Sequence, residues 1–435
     1  MAKETTAHKK RKRQPPVYVL SMRGESLMPC KPAKARILLR DGKAVIYSYA
    51  PFTIQLTIPT GETRQPVTLG VDLGSTNLGL SASTSKAELY AEETKLRTDI
   101  PELLSERREH RINRRNKLRH REERRDNRVA SKKEGWLPPS TKNKEEATLK
   151  RINTVCSVLP VRKIVVEAAP FDIQKLQNPE IEGVEYQNGP QKDFDNVKAF
   201  VRYRDNYTCQ HCKGKSKDPV LHVHHIESRK TGGNSPDNLI TLCETCHKKV
   251  HDGKIELKQK RGPSYRDATG VSILSRTVVD ALRAENPDKE VCITYGYITK
   301  HNRIEHHLPK SHHVDAFCIA GNFEARRMGC YTQVKQVRRH NRQIHKSTIL
   351  KGGERKLNQA PKFVKGFQLF DKVRVKATGE VGFIFARRTS GYFDVRRLDG
   401  TRISAGISYK KLQLLEMRKT FLTQLVQEES ASSLV

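Results

Sequence analysis

Residues 67–80 read VTLGVDLGSTNLGL, and the placement of Asp72 in that run decides the fold. The stretch has the composition of a buried strand running into a glycine turn. Val71 and Leu73 are packing residues, and Gly70 and Gly74 give the backbone room, yet a carboxylate stands among them. The following LGLSAST, residues 78–84, reads as the hairpin partner. Far downstream, KIVVEAAPFD at 163–172 holds a second apolar strand, 164–166, ending in Glu167. SHHVDAFCIA at 311–320 sets Asp315 at the head of an apolar run, Phe317, Ile319, Ala320 and Phe323, with helical spacing. His312, three residues before Asp315, shares the face of that first turn, and His313 competes for the position. Each acid alone is an ordinary turn or helix-start residue.

Composition narrows the partner. The chain has 435 residues, 36% of them hydrophobic, which suits several modest domains better than one large core. Its 82 Lys+Arg against 48 Asp+Glu leave +34, a charge that is best balanced by a polyanion such as nucleic acid. No apolar run approaches the ~20 residues of a membrane span. The N-terminal MAKETTAHKKRKRQPP has no apolar centre, so it reads as a basic flexible arm rather than a secretory signal. Nine cysteines, four of them in two CxxC pairs, indicate a reducing compartment with a metal site.

Residues 17–66 alternate in short β-rich runs, with Asp41-Gly42 placed to join ARILLR and KAVIYSY as a hairpin. Residues 101–130 change character: 105–128 hold eleven Arg/Lys and five Asp/Glu. Arg107, Arg111, Arg114, Arg121, Arg125 and Arg128 follow a near-helical spacing broken at Leu118, with Arg115 beside them. The excess of arginine favours a helix that tracks phosphates over a merely solvated one. Residues 144–160 look helical, and 178–192 read as a linker. Residues 331–365 look basic and irregular, and 366–415 have the alternation of a small β-barrel. The last dozen residues look frayed. Arg387, Arg388, Arg396, Arg397 and Arg402 are candidates for contacts to base edges.

Cys209-x2-Cys212 and Cys243-x2-Cys246 bracket thirty residues. Four thiolates at such spacing suit tetrahedral Zn²⁺ and would staple a domain with little core. Within and after that gap come His224-His225, Asn238, and His247 and His251 at i,i+4. His222 and His211 carry no assigned role.

The order His-His, Asn, His-x3-His resembles the HNH endonuclease motif of the ββα-metal fold. That resemblance implies His224 and His247 as Mg²⁺ ligands, His251 as a further candidate ligand, His225 as the base that activates water, and Asn238 as the loop's support. The three distant acids resemble RuvC-type, ribonuclease H-like nucleases, in which Asp72, Glu167 and Asp315 would bind two Mg²⁺ and His312 would join them. The order of the pieces is similar to the IscB nucleases, transposon-associated relatives of the CRISPR type II effectors. SLMPCKPAKARILLRDGKA at 26–44 adds the N-terminal motif of that family, with Ser26 in place of its first proline.

The resemblance implies a multidomain α/β protein with a split RuvC core and these parts: an arm (1–16), a β module (17–66), RuvC I (67–100), a bridge helix (101–130), RuvC II and linker (131–192), HNH with zinc (193–256), RuvC III (257–330) and a C-terminal RNA- and target-adjacent-motif-binding β module (331–435). It implies an RNA-guided DNA endonuclease, in which HNH cuts the guide-paired strand and RuvC the displaced strand. The partners would be an ωRNA guide and double-stranded DNA bearing a short adjacent motif. The expected form is a monomeric protein in a ribonucleoprotein of the prokaryotic cytoplasm. The alternatives are a homing or structure-specific nuclease without a guide, and a non-enzymatic basic zinc protein.

Overall fold

The computed structural model describes residues 14–118, 136–168, 197–227, 236–257, 259–260, 266–339 and 361–428. They fall into two compact units, Met1–Ala169 with Ile273–Val435, and Pro170–Ser272.

The larger unit opens with β1 (Val17–Leu20), β2 (Ser26–Cys30), α1 (Pro32–Arg40), β3 (Ala44–Tyr49) and β4 (Phe52–Leu56). Its four strands pair in the order β2-β1-β4-β3. The expected hairpin across Asp41-Gly42 is absent, because ARILLR is helical. Pro32 at the first turn starts α1, and Ala35 is buried against the small sheet with Leu38 and Leu39 packed beside it. Asp41 is the C-cap, and Gly42 follows at φ +68, a left-handed conformation that glycine adopts freely. A turn dipeptide ends helices as readily as it joins strands.

The chain continues through β5 (Val67–Leu73), β6 (Asn77–Ser83), β7 (Glu88–Lys95), α2 (Ile100–Leu118), α3 (Pro139–Val158) and β8 (Val161–Glu167). The smaller unit follows, with α4 (Val197–Arg204), β9 (Leu221–His225), β10 (Leu239–Cys243) and α5 (Glu244–His251). Next come α6 (Arg266–Glu285), β11 (Glu290–Thr294), α7 (Gly296–Glu305), α8 (His312–Ala320) and β12 (Cys330–Gln336). The last strands are β13 (Lys372–Val375), β14 (Val381–Arg387), β15 (Tyr392–Arg396), β16 (Arg402–Ser408), β17 (Leu412–Glu416) and β18 (Phe421–Gln427).

A seven-stranded sheet, β11-β8-β5-β6-β7-β12-β18, organises the larger unit. β5, β6 and β7 are successive antiparallel neighbours, while β8 and β11 run parallel to β5. The smaller unit is thus inserted in the chain between two strands that are neighbours in the sheet. Period-two alternation sorts the side chains. Val67, Leu69, Val71 and Leu73 of β5 join Leu78, Leu80 and Ala82 of β6 in one core. Ile152, Val155 and Val158 of α3 and Leu274, Val278, Val279 and Leu282 of α6 complete it. The alternate residues, Gly70, Asp72 and Gly79, face α8.

Two strands depart from expectation. Residues 331–336, within the stretch read as irregular, belong to β12, which pairs parallel with β7. The last dozen residues, read as frayed, include 424–427 of β18, which pairs with all of β12. β12, CYTQVKQ, is largely polar, and β18, FLTQLVQ, has no period-two alternation and lies at the sheet's outer end. The five strands β16-β15-β14-β13-β17 form a separate antiparallel sheet around Val373, Ile384, Phe393 and Val395. Arg387 in that sheet is buried, and its guanidinium donates to the Lys362, Phe367 and Pro361 carbonyls. It is a structural residue and not a reader of bases.

α8 lies on β5 and β6 at backbone contact. A Cβ at Gly70 would stand 2.0 Å from Ala316 O, and one at Gly79 would stand 2.0 Å from His312 O. Gly79→Ala is therefore expected to lift α8 and destabilise the larger unit by about 1–3 kcal/mol or more. A urea melt checks this, and an unchanged midpoint would refute the close approach.

Candidate functional site

The strand ends and α8 bring the three acids of the larger unit to one electrostatic site. Asp72, on the α8 face of β5, is buried, and His312 Nδ1 lies 2.6 Å from its Oδ2. That hydrogen bond raises the His312 pKa and favours the imidazolium. Glu167 ends β8 opposite Thr294 of β11. Thr299 of α7 donates its hydroxyl to Glu167 Oε2 at 2.6 Å. Burial pushes the Glu167 carboxyl up, the Thr299 hydrogen bond pulls it down, and the Asp72 and Asp315 charges push it up again. Asp315 is raised by burial and by Asp72, against the pull of Arg303. Arg303 Nε lies 2.9 Å from Asp315 Oδ1, yet both buried atoms lack a hydrogen-bond partner, because the pair is not aligned for one.

His313 is turned elsewhere. It is buried and stacked on Tyr331 at 4.3 Å, with its ring nitrogens on Glu93 (2.9 Å) and Glu428. His312 is therefore the histidine beside the acids. Thr299 and Arg303, one helical turn apart on α7, escaped the sequence reading. Nothing local marks them, since their partners are 132 and 12 residues away in the chain.

The smaller unit builds two donor clusters from the turns after α4, a two-stranded ribbon and a helix. Its four cysteines, Cys209, Cys212, Cys243 and Cys246, place their sulfurs within 4.8 Å of one another. The 3.9 Å between Cys212 and Cys243 sulfurs suits two ligands on one tetrahedral ion with metal–sulfur bonds of about 2.3 Å. Ser216 Oγ lies 3.3 Å from the first of these sulfurs and 3.1 Å from the second. It draws the Cys212 thiol down to about 6, toward the thiolate a ligand must be. Burial pushes the Cys246 thiol the other way, which a bound cation would offset.

His224, His247 and His251 form the second cluster, again within 4.8 Å. The Nε2 atoms of His247 and His251 lie 3.2 Å apart, the spacing of two ligands about 2.1 Å from one ion. Burial, then the neighbouring imidazoles, depresses His224 to about 4, which keeps it neutral and able to ligate. His222 stacks on His247 with ring centroids 5.0 Å apart. It was left without a role in the sequence, although its period-two relation to His224 puts both on the face toward α5. His225 falls on the alternate face of β9 and lies outside the three-nitrogen group. Asn238 is buried and grips Glu227, accepting from its N–H at 2.8 Å and donating to its carbonyl at 3.1 Å. The residue that ends the β9–β10 loop thus holds the residue that begins it.

Among the described residues these are the two donor groups at single-ion spacing, and Asp72, Glu167 and Asp315 do not form a third. Arg107 is exposed on α2, which also carries Arg111, Arg114 and Arg115. Arg121, Arg125 and Arg128 lie outside the described residues, as do residues 1–13 of the arm and the 178–192 linker. No described helix is long and apolar enough to cross a membrane.

This ribbon and helix, with their histidines and zinc-type cysteines, define a metal-dependent endonuclease domain. Residues 209–253 match the HNH endonuclease family. Residues 17–189 match the family described as RRXRR protein. No curated protein sequence matches the chain. Solved structures similar to parts of it include Streptococcus thermophilus Cas9 in complex with AGGA PAM, at 16% identity over 42% of this chain and 26% of that one, TM-score 0.28. The same protein in complex with the AGAA PAM aligns at 14% identity over 57% and 32%, TM-score 0.31. The Type II-C Cas9 enzyme from Actinomyces naeslundii aligns at 12% identity over 59% and 60%, TM-score 0.25. The chain thus spans less than two thirds of each.

Two substitutions test the smaller unit. Cys209→Ser with Cys212→Ser is expected to abolish bound zinc, measured by elemental mass spectrometry on the purified chain; full zinc content would exclude the four-cysteine site. Asn238→Ala removes two hydrogen bonds from a buried loop clamp and is expected to destabilise this unit by about 1–3 kcal/mol. Hydrogen exchange at the Glu227 amide reads the loss directly.

Proposed function

We propose that the protein is an RNA-guided DNA endonuclease with two cutting sites, an HNH site and a split RuvC-type site, organised as in the IscB nucleases. The observation that carries the reading is the insertion of the HNH unit between β8 and β11, adjacent strands of a sheet whose ends and overlying helix hold Asp72, Glu167 and Asp315. A strand order with three antiparallel strands followed by two parallel ones supports the ribonuclease H-like assignment.

In the HNH unit, His224, His247 and His251 would hold one divalent cation, which would neutralise charge on the scissile phosphate when bound. His225, outside that group, takes the proton from the attacking water. Asn238 keeps the loop after His225 in register, and His222 orients the ring of His247 by stacking. In the larger unit Asp72, Glu167 and Asp315 would hold two Mg²⁺. The buried, unsatisfied Asp315 Oδ1 fits a ligand atom that awaits a cation. His312 orients Asp72 through their hydrogen bond, Thr299 orients Glu167, and Arg303 balances the Asp315 charge.

The arginines of α2, and Arg121, Arg125 and Arg128 beyond it, bind the phosphates of an ωRNA guide. The β13–β17 sheet contacts RNA and the target-adjacent motif. The net charge of +34 supports assembly with a nucleic acid.

Differentially labelled DNA strands test the two-site assignment. Asp72→Ala is expected to slow cutting of the displaced strand by about a hundredfold or more and to spare the guide-paired strand. His225→Ala should have the opposite pattern. Equal loss on both strands would defeat the assignment. Sequencing the nucleic acid that copurifies with the chain separates the guided reading, which requires one uniform structured RNA, from an unguided nuclease, which would yield random fragments.

A further inference from the structure

We propose that Tyr295 and Tyr297 form a stacking platform for unpaired bases of the DNA strand that is led to Glu167. The inference rests on the reading of Asp72, Glu167 and Asp315 as a phosphodiester-cutting site.

The two tyrosines flank the residue that touches the acid. Thr294, the last residue of β11, pairs with Glu167. Tyr295 follows as the N-cap of α7, then Gly296, then Tyr297. A Cβ at Gly296 would stand 3.0 Å from Glu167 Oε1, so the backbone between the rings runs against the carboxylate. One turn on, Thr299 holds the other Glu167 oxygen. The position of both rings relative to the acid is thus set by covalent connection and by α7 itself.

The rings are parallel, with an interplanar angle of 7° and centroids 6.0 Å apart. Tyr297 is 72% exposed and Tyr295 41%. Two large aromatic faces held in water cost hydration free energy and contribute nothing to the core of this unit. A ligand with flat apolar faces removes that cost. Nucleic acid bases are such ligands, and they stack on aromatic side chains without regard to sequence. A duplex hides its base faces within its own stack, so the platform suits a strand already unpaired. The charges nearby agree: Lys300 is exposed on the same helix, and exposed Lys310 acts on Asp315. They supply cations for the strand's phosphates while the rings hold its bases. The strand would pass over α7 with a phosphate at Glu167 and the adjoining base on the tyrosines.

The test uses the full chain carrying Asp72→Asn, which prevents cutting, and an oligodeoxynucleotide with one 2-aminopurine, at raised salt to weaken phosphate contacts. Stacking on a ring quenches the 2-aminopurine. Tyr297→Ala is expected to abolish most of the quench and weaken binding about tenfold, and Tyr297→Phe to preserve both. Undiminished quench and affinity in Tyr297→Ala, or equal losses in the alanine and phenylalanine variants, would overturn the platform. Loss of copurifying structured RNA with unchanged binding of the oligodeoxynucleotide would also overturn it, by assigning the rings to RNA. Because the readout is binding, it stands apart from the strand-cutting pattern of Asp72→Ala, whose failure would remove the cutting site and leave the stacking result intact.

Discussion

The larger unit depends on the contact of α8 with β5 and β6 at backbone distance. Gly70 and Gly79 are the points of contact, and neither site has room for a methyl group. Both glycines lie on the sheet face opposite the apolar core, where a strand would ordinarily present side chains. Removing those side chains lets His312 descend onto Asp72 and sets Asp315 beside it. Glycine weakens a strand interior by losing packing and adding unfolded-state freedom. The sheet tolerates that loss because β5 and β6 are central strands whose other faces are fully buried.

A second constraint comes from α7, which gives the acids their partners. Its residues 296, 299 and 303 lie on one face, so one helix meets Glu167 twice and Asp315 once. The acids stay apart in this arrangement because each has its own partner: His312, Thr299 or Arg303. Burial and mutual repulsion raise Glu167 and Asp315, so the site favours any cation that can replace those partners. The smaller unit solves the same electrostatic problem differently. Its donors are imidazole nitrogens and cysteine sulfurs, gathered in two groups whose atoms lie within 4.8 Å of one another.

Much of this was legible in the chain. Alternation around Asp72, the acid after 164–166, the helical spacing after Asp315 and the two CxxC pairs each rest on local geometry, and each appears where that geometry puts it. The misreadings share a cause. ARILLR could be strand or helix over so short a run, and only its packing against the N-terminal sheet decided for helix. Residues 331–336 and 424–427 carry too short and mixed an apolar pattern to mark a strand; β12 and β18 form by pairing with each other. His222 was passed over because its importance lies in stacking on His247, 25 residues later.

The sequence by itself determined the chemistry of the protein: which residue types can bind cations, activate water and neutralise phosphates, and the order in which the chain presents them. Period-two and period-3.6 patterns are local, so they survive in a linear reading. Tertiary structure alone decided which of two adjacent histidines meets Asp72, which arginine is structural, and which helix holds the acids. Those choices depend on contacts between residues up to 240 positions apart, and no local pattern encodes them.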